Sequence, residues 1–328
     1  MDLNFIAIKI SFASILLLFS AFWALGVGRF EISYAQIWQI LTNLDFHSSL
    51  GYIIWQTRAA RIVLAIFVGI GFAAAGSSFQ SIFKNPLAAP DILGVASGAG
   101  FGAVLALMFG LNIYFVMGFG FIFGVLSLFL VILIAGSESR VMIILAGIVI
   151  SAFFTALISL LKYIADPQDT LPAITYWLLG SLSVSNLGGL GVCVCGITLG
   201  SAVIFYHRWR HNILMLDDAE AKSLGVNIKV LRLILLAACT LIVACAVSFC
   251  GIIGWVGLVV PHIARLIVGA NSARVIPFSM FVGAIFMIFI DTIARSISGA
   301  ELPISVLSAI VGAPFFIFIL RRAKGFNL

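Results

Sequence analysis

Long apolar runs alternate with short polar breaks along the whole chain. Ten runs stand out, at residues 5–28, 62–82, 92–111, 113–135, 141–164, 188–207, 230–250, 252–268, 275–295 and 304–320. Most approach the roughly 20 residues that a helix needs to cross hydrocarbon. Residues 62–70 and 143–150 are apolar throughout, without the alternation of a membrane β-barrel strand. The pattern predicts an all-α, polytopic membrane helical bundle of about ten transmembrane helices. Residues 1–328 form a single transmembrane domain in this reading.

Between the runs, 29–61 is mixed and holds Trp38, Trp55, Arg58 and Arg61, which predicts an interfacial helix ahead of the second span. Residues 165–187 carry Asp166, Pro167, Asp169 and Pro172, and 208–229 is the most charged stretch. The ambiguous segment is 230–268, one overlong helix or two spans. Gly251, Gly254 and Gly257 offer a reversal in its middle. Charge favours two spans, because Lys229, Arg232, Arg265 and Arg274 then share one side.

Composition removes the soluble classes. The chain is 63% hydrophobic and 9% charged, with a mean hydropathy of +1.24. A water-soluble fold of 328 residues could not hide that much apolar surface. The net charge of +6 reflects topology and gives no reason to invoke nucleic acid. With ten spans, 13 of the 18 Lys and Arg residues fall on the N-terminal side. The other side holds Arg29, Arg58, Arg61, Lys162 and Arg295. Cationic loops face the cytoplasm, so both termini and the 208–229 loop are expected there. A lone early Lys9 and the lack of a small-residue cleavage site make the N-terminus a first span and not a signal peptide.

Candidate chemistry is sparse. The five cysteines lie in apolar segments as small hydrophobes, and the Cys193–Cys195 spacing fits no tetrahedral metal pattern. Glycine and serine clusters, such as Gly94, Ser97, Gly98, Gly100 and Gly102, suit close helix packing in lipid. No run of intramembrane carboxylates exists, which counts against a proton- or sodium-coupled carrier. Asp291 and Arg295 make an i,i+4 pair near a span end. No glycine-rich phosphate loop is present, and catalytic residues are not expected. His207 and His211 have metal-compatible spacing, but Arg208 and Arg210 beside them oppose a cation, so an interfacial anchor is expected. Residues 217–226 predict a short helix with acid in its first turn, ended by Gly225. A solvated loop and a helix that inserts into a partner's groove both fit those residues.

That loop, together with the block Gly251-Ile252-Ile253-Gly254-Trp255-Val256-Gly257 continuing to Pro261-His262-Ile263-Ala264-Arg265, resembles the iron-chelate and vitamin B12 importer permeases. These are the membrane subunits of type II ABC importers. Asn85-Pro86-Leu87-Ala88-Ala89-Pro90-Asp91, Tyr176-Trp177-Leu178-Leu179-Gly180-Ser181-Leu182, Glu301-Leu302-Pro303-Ile304 and Gly312-Ala313-Pro314-Phe315 extend the likeness over nearly the whole chain.

The resemblance implies a bacterial or archaeal cytoplasmic (inner) membrane permease. It works as a dimer with a second copy of itself or a paralogous permease. ATP and Mg belong to two separate ATPase subunits, with no cofactor in this chain. Asp217, Asp218, Glu220, Ala221, Leu224, Gly225 and Val226 would couple to the ATPase. Arg58, Arg61 and Arg295, exposed on the outer face, would dock a periplasmic or lipid-anchored substrate-binding protein. Ser137, Glu138, Ser139 and Arg140 correspond loosely to a cytoplasmic gate. The implied cargo is an iron-siderophore, haem or cobalamin-type chelate. The alternatives are a metal oxyanion such as molybdate or, in a different class, a stand-alone secondary transporter.

Overall fold

A computed structural model describes residues 3–136, 139–297 and 301–325, and among these every regular element is a helix. In chain order they are α1 (Leu3–Gly26), α2 (Tyr34–Asn43), α3 (Ser49–Tyr52), a π-helical turn (Ile53–Ala59), α4 (Ala60–Ile82), a 3-10 turn (Pro90–Leu93), α5 (Val95–Met108), α6 (Ile113–Ala135) and α7 (Arg140–Ile164). Then follow α8 (Thr170–Leu178), α9 (Leu187–Tyr206), α10 (Arg210–Leu214), α11 (Asp218–Ser223), α12 (Ile228–Cys250), α13 (Val256–Val268), α14 (Ser272–Ser296) and α15 (Ile304–Gly325).

Each of the ten predicted runs is helical. Among the described residues seven helices are long and apolar enough to cross a membrane, and Val95–Met108, Val256–Val268 and Ile304–Ile317 are shorter apolar helices. The chain is a multi-pass membrane protein. Asn112, Asn186, Asn227 and Asn271 each accept from first-turn N–H groups of α6, α9, α12 and α14. Such caps satisfy donors that hydrocarbon cannot.

The second span differs from expectation. It is one continuous helix, Ser49–Ile82, of 34 residues. The polar residues Gln56, Thr57, Arg58 and Arg61 interrupt the hydropathy but not the helix, because neighbouring elements satisfy the arginines. The 230–268 segment does break in two. Gly251 ends α12 at φ +73°, and Trp255 stands at φ +70° before α13. A side chain at Gly251 would collide with the Trp177 carbonyl. Ser181 N–H, just past Gly180, donates to Cys250 O at 2.8 Å, and so pins the reversal.

The central pillar is α4, buried along most of its length, whereas α1 lies at the periphery with few of its described side chains buried. It packs on α14, α13, α12 and α9. At its contact with α14 the backbones touch at Gly69 and Gly283, and Ser77 Oγ bonds Ser279 Oγ at 3.1 Å. Small residues permit this approach where no water drives helices together. On α1 and α6 the outward faces carry Phe12, Phe19, Phe129 and Leu133, as surfaces covered by lipid or protein require.

Gly283→Leu should therefore separate the two helices and lower stability by about 1–3 kcal/mol or more. Gly118→Ala, in a position with open space around it, should cost nothing. Thermal unfolding in detergent distinguishes them, and equal midpoints would refute the close approach.

Candidate functional site

The polar groups gather at the two ends of the bundle. At one end, Arg58, Arg61 and Arg295 converge from the π-helical turn, α4 and α14. They are not exposed cations, as the sequence suggested: their relative exposures are 4%, 6% and 7%. Arg58 donates to Leu25 O at 2.5 Å and to Phe30 O. Arg61 donates through Nε to Asp291 Oδ1 at 2.7 Å and through one Nη to both Glu301 oxygens at 2.8 and 2.9 Å. Arg295 donates to Ala24 O, and its Nε stands 3.6 Å from Asp291 Oδ2.

The physical reason is local. The end of α1 and the segment after it present free carbonyls, and α14 presents a buried carboxylate. Each guanidinium gains more from these fixed acceptors than from projecting away. The expected Asp291–Arg295 pair exists, but Arg61 holds the shorter bond to Asp291. A cavity of about 170 Å³ opens among Arg29, Arg58, Arg61, Arg295 and Glu301. Four guanidiniums against Glu301 and Asp291 leave it net positive.

At the opposite end lies the segment from α10 to α12. Glu220 reaches back from α11 to accept from the Asp217 N–H at 3.4 Å, and Gly225 stands at φ +74° just past the helix. The sequence anticipated this short helix and its stop, and the structure adds the capping box at its start. Ala221 is fully buried, Leu224 is 59% exposed, and Val226 packs against the main core. Ser139 Oγ accepts from Met142 N–H and caps α7, with Arg140 as the first residue of that helix. Ser137 and Glu138 lie outside the described residues.

Three contacts that sequence reasoning missed hold this segment to the bundle. His211 is fully buried, and its Nδ1 lies 3.0 Å from His207 O. A carbonyl can only accept, so Nδ1 carries the proton and Nε2 accepts from Ser78 Oγ at 3.0 Å. His211 is thus an internal pin, not the interfacial anchor its basic neighbours suggested. Asn212 Nδ2 donates to Asn271 Oδ1 at 3.0 Å, and Asn212 Oδ1 accepts from Ser272 N–H at 2.8 Å. Lys84 Nζ donates to Leu216 O at 2.6 Å and lies 3.6 Å from Asp217 Oδ1. Among the described residues no group of three or more His, Cys, Asp or Glu side chains could hold a metal ion.

A model of the FecCD transport family matches residues 16–322. The chain is 42% identical to the molybdate import system permease protein MolB of Haemophilus influenzae, over 95% of this chain and 94% of that protein. It is 32% identical to the hemin transport system permease protein HmuU of Yersinia pestis, over 97% and 96% respectively. A solved inward-facing conformation of a metal-chelate type ABC transporter matches with a TM-score of 0.87 at 39% identity, covering 96% of this chain and 99% of that one.

Burial pushes the His211 imidazole down to about 4 from an ordinary 6.5. The folded state therefore refuses a proton that the unfolded chain accepts. Stability should be complete above about pH 6.5 and fall on acidification toward pH 4, by up to about 3 kcal/mol. His211→Gln should flatten that part of the profile. Unfolding midpoints between pH 7 and 4 test this, and identical slopes in the two proteins would contradict it.

Proposed function

The chain belongs to the FecCD transport family as a transmembrane permease of the ABC importer class, and from that premise we propose its assembly and cargo. Two permease chains form the pathway between them, lined mainly by α7 and α15. Separate ATPase subunits bind ATP and Mg and do all the hydrolysis. Both termini and α11 face the cytoplasm, in line with the 13 cationic residues on that side. ATPase closure acts on α11 and its flanks, from Asp217 and Asp218 through Glu220 and Ala221 to Leu224, Gly225 and Val226. The protruding Leu224, at the C-terminal end of the capped α11, supports this role, since an exposed leucine there suits a partner's groove. Alternating access results, with the segment from Ser139 to Arg140 near the inner gate.

The observation that carries the reading is the family match across residues 16–322. The cargo we assign is an iron-siderophore, haem or cobalamin-type chelate. Its support is the apolar outward face of α7, where Val149, Phe153 and Leu160 are exposed. The hydroxyls there, Thr155 and Ser159, spend their donors on their own helix. Such a wall suits a bulky chelate better than a bare oxyanion, which needs free donors. One observation favours a second reading, permeation of a metal oxyanion: the 42% identity to a molybdate permease.

Uptake decides between them. Cells lacking other importers, expressing the permease with its ATPase and binding protein, should accumulate one of haemin, ferric ferrichrome or cyanocobalamin, and not molybdate. Molybdate uptake alone would establish the second reading. Gly225→Trp and Glu220→Lys should each cut uptake by about tenfold or more, with normal membrane insertion. Unchanged uptake in both variants would remove α11 from coupling.

The outer arginine cavity is the proposed dock for an acidic surface of the binding protein. Its net positive charge supports this, and the internal pairing of Arg61 means an incoming carboxylate would replace Glu301. Arg58→Gln should slow association by on the order of tenfold at low ionic strength, and added salt should erase the difference. Surface plasmon resonance of the reconstituted transporter reads the rate; an unchanged rate at low salt counts against the dock.

A further inference from the structure

α11 contains six residues. A helix that short, hung on flexible connections, would swing under load and transmit little. Its N-terminal side is fastened instead. We propose that Lys84, His211 and Asn212 are positioning residues that clamp the α11 segment to α4 and α14, making these two helices one rod that moves with it. The proposal rests on the role given to α11 above.

The geometry is specific. Lys84 follows α4 at φ +49°, a conformation rarely adopted by residues with side chains. Asn85 N–H donates to Gln80 O at 3.1 Å, and Ala88 N–H to Asn85 O at 3.1 Å. This wrapped turn holds the lysine stem so that its ammonium meets the Leu216 carbonyl and the Asp217 carboxylate, directly before α11. His211 bonds to Ser78 in the last two turns of α4. Asn212 uses both ends of its amide on Asn271 and Ser272, where α14 begins. The clamp therefore reaches α4 twice and α14 once.

Those two helices are themselves locked along their length. They touch at Gly69 and Gly283, share the Ser77–Ser279 hydrogen bond, and are tied at the other end by Arg61–Asp291 at 2.7 Å. A 23-residue helix such as α4 spans about 35 Å. The rod thus runs from the α11 clamp to the arginine cavity, so a load at either end reaches the other without passing through a loop.

The test uses the assembled transporter in lipid nanodiscs and proteoliposomes, with the compound that the uptake panel selects from haemin, ferric ferrichrome, cyanocobalamin and molybdate. In Lys84→Met with Asn212→Ala, ATPase subunits should co-purify in wild-type proportion. Cargo moved per ATP hydrolysed should fall by about tenfold, and stimulation of hydrolysis by the binding protein should be lost. Lys84→Arg, which keeps the cation, should restore most of both when combined with native Asn212. Should the double variant fail to assemble, Asn212→Ala alone decides, since it removes two hydrogen bonds and no charge. Unchanged cargo per ATP with intact assembly overturns the proposal. Failure of the α11 reading looks different: Gly225→Trp would then retain both ATPase co-purification and uptake.

Discussion

Hydrocarbon offers no hydrogen bonds, and that constraint organises this structure. Every backbone donor and every charged group within the bundle must find a partner in the protein. Helices answer the requirement for the backbone, and the asparagine caps answer it at the starts of α6, α9, α12 and α14. The arginines pose the harder case. Arg58, Arg61 and Arg295 are covered by neighbouring elements, and each is met by carbonyls or carboxylates. Their pairing lets a helix carry two cations and a π-helical turn without losing continuity over Ser49–Ile82.

The same constraint explains the weight borne by α4 and α14. Without water to drive helices together, close approach must come from small residues and buried polar contacts. Gly69 and Gly283 supply the first, and Ser77–Ser279 with Arg61–Asp291 supply the second. Polar bonds at both ends of a glycine-packed contact resist sliding as well as separation. A pair fastened in this way suits a transporter that must relate events on opposite faces of a membrane. The segment from α10 to α11 then acquires its order by attachment: His211, Asn212 and Lys84 hold it where its own few turns could not.

Much of the architecture was legible from hydropathy and glycine placement. The ten runs, the reversal after Cys250 and the short helix before Gly225 all follow from local pattern, because spanning, turning and stopping are decided by residues close in the chain. Membership of the FecCD family was likewise readable from motifs in order. The partners of the polar groups were not. Lys84 looked like one more cytoplasmic cation, and His211 like a surface histidine among arginines. The onset of the second span was misjudged because polar residues lower hydropathy whether or not a neighbour satisfies them.

Sequence alone, then, determined that this chain spans a membrane as helices, where most of those helices begin and end, and on which side cationic loops are expected. Tertiary structure alone decided that Arg58, Arg61 and Arg295 are buried, and which acceptors hold them. Arg61 and Asp291 are 230 positions apart, and Arg61 and Glu301 are 240 apart. Hydropathy is a property each segment carries by itself. A charged group's exposure depends on what distant segments bring beside it, and only the folded bundle supplies that.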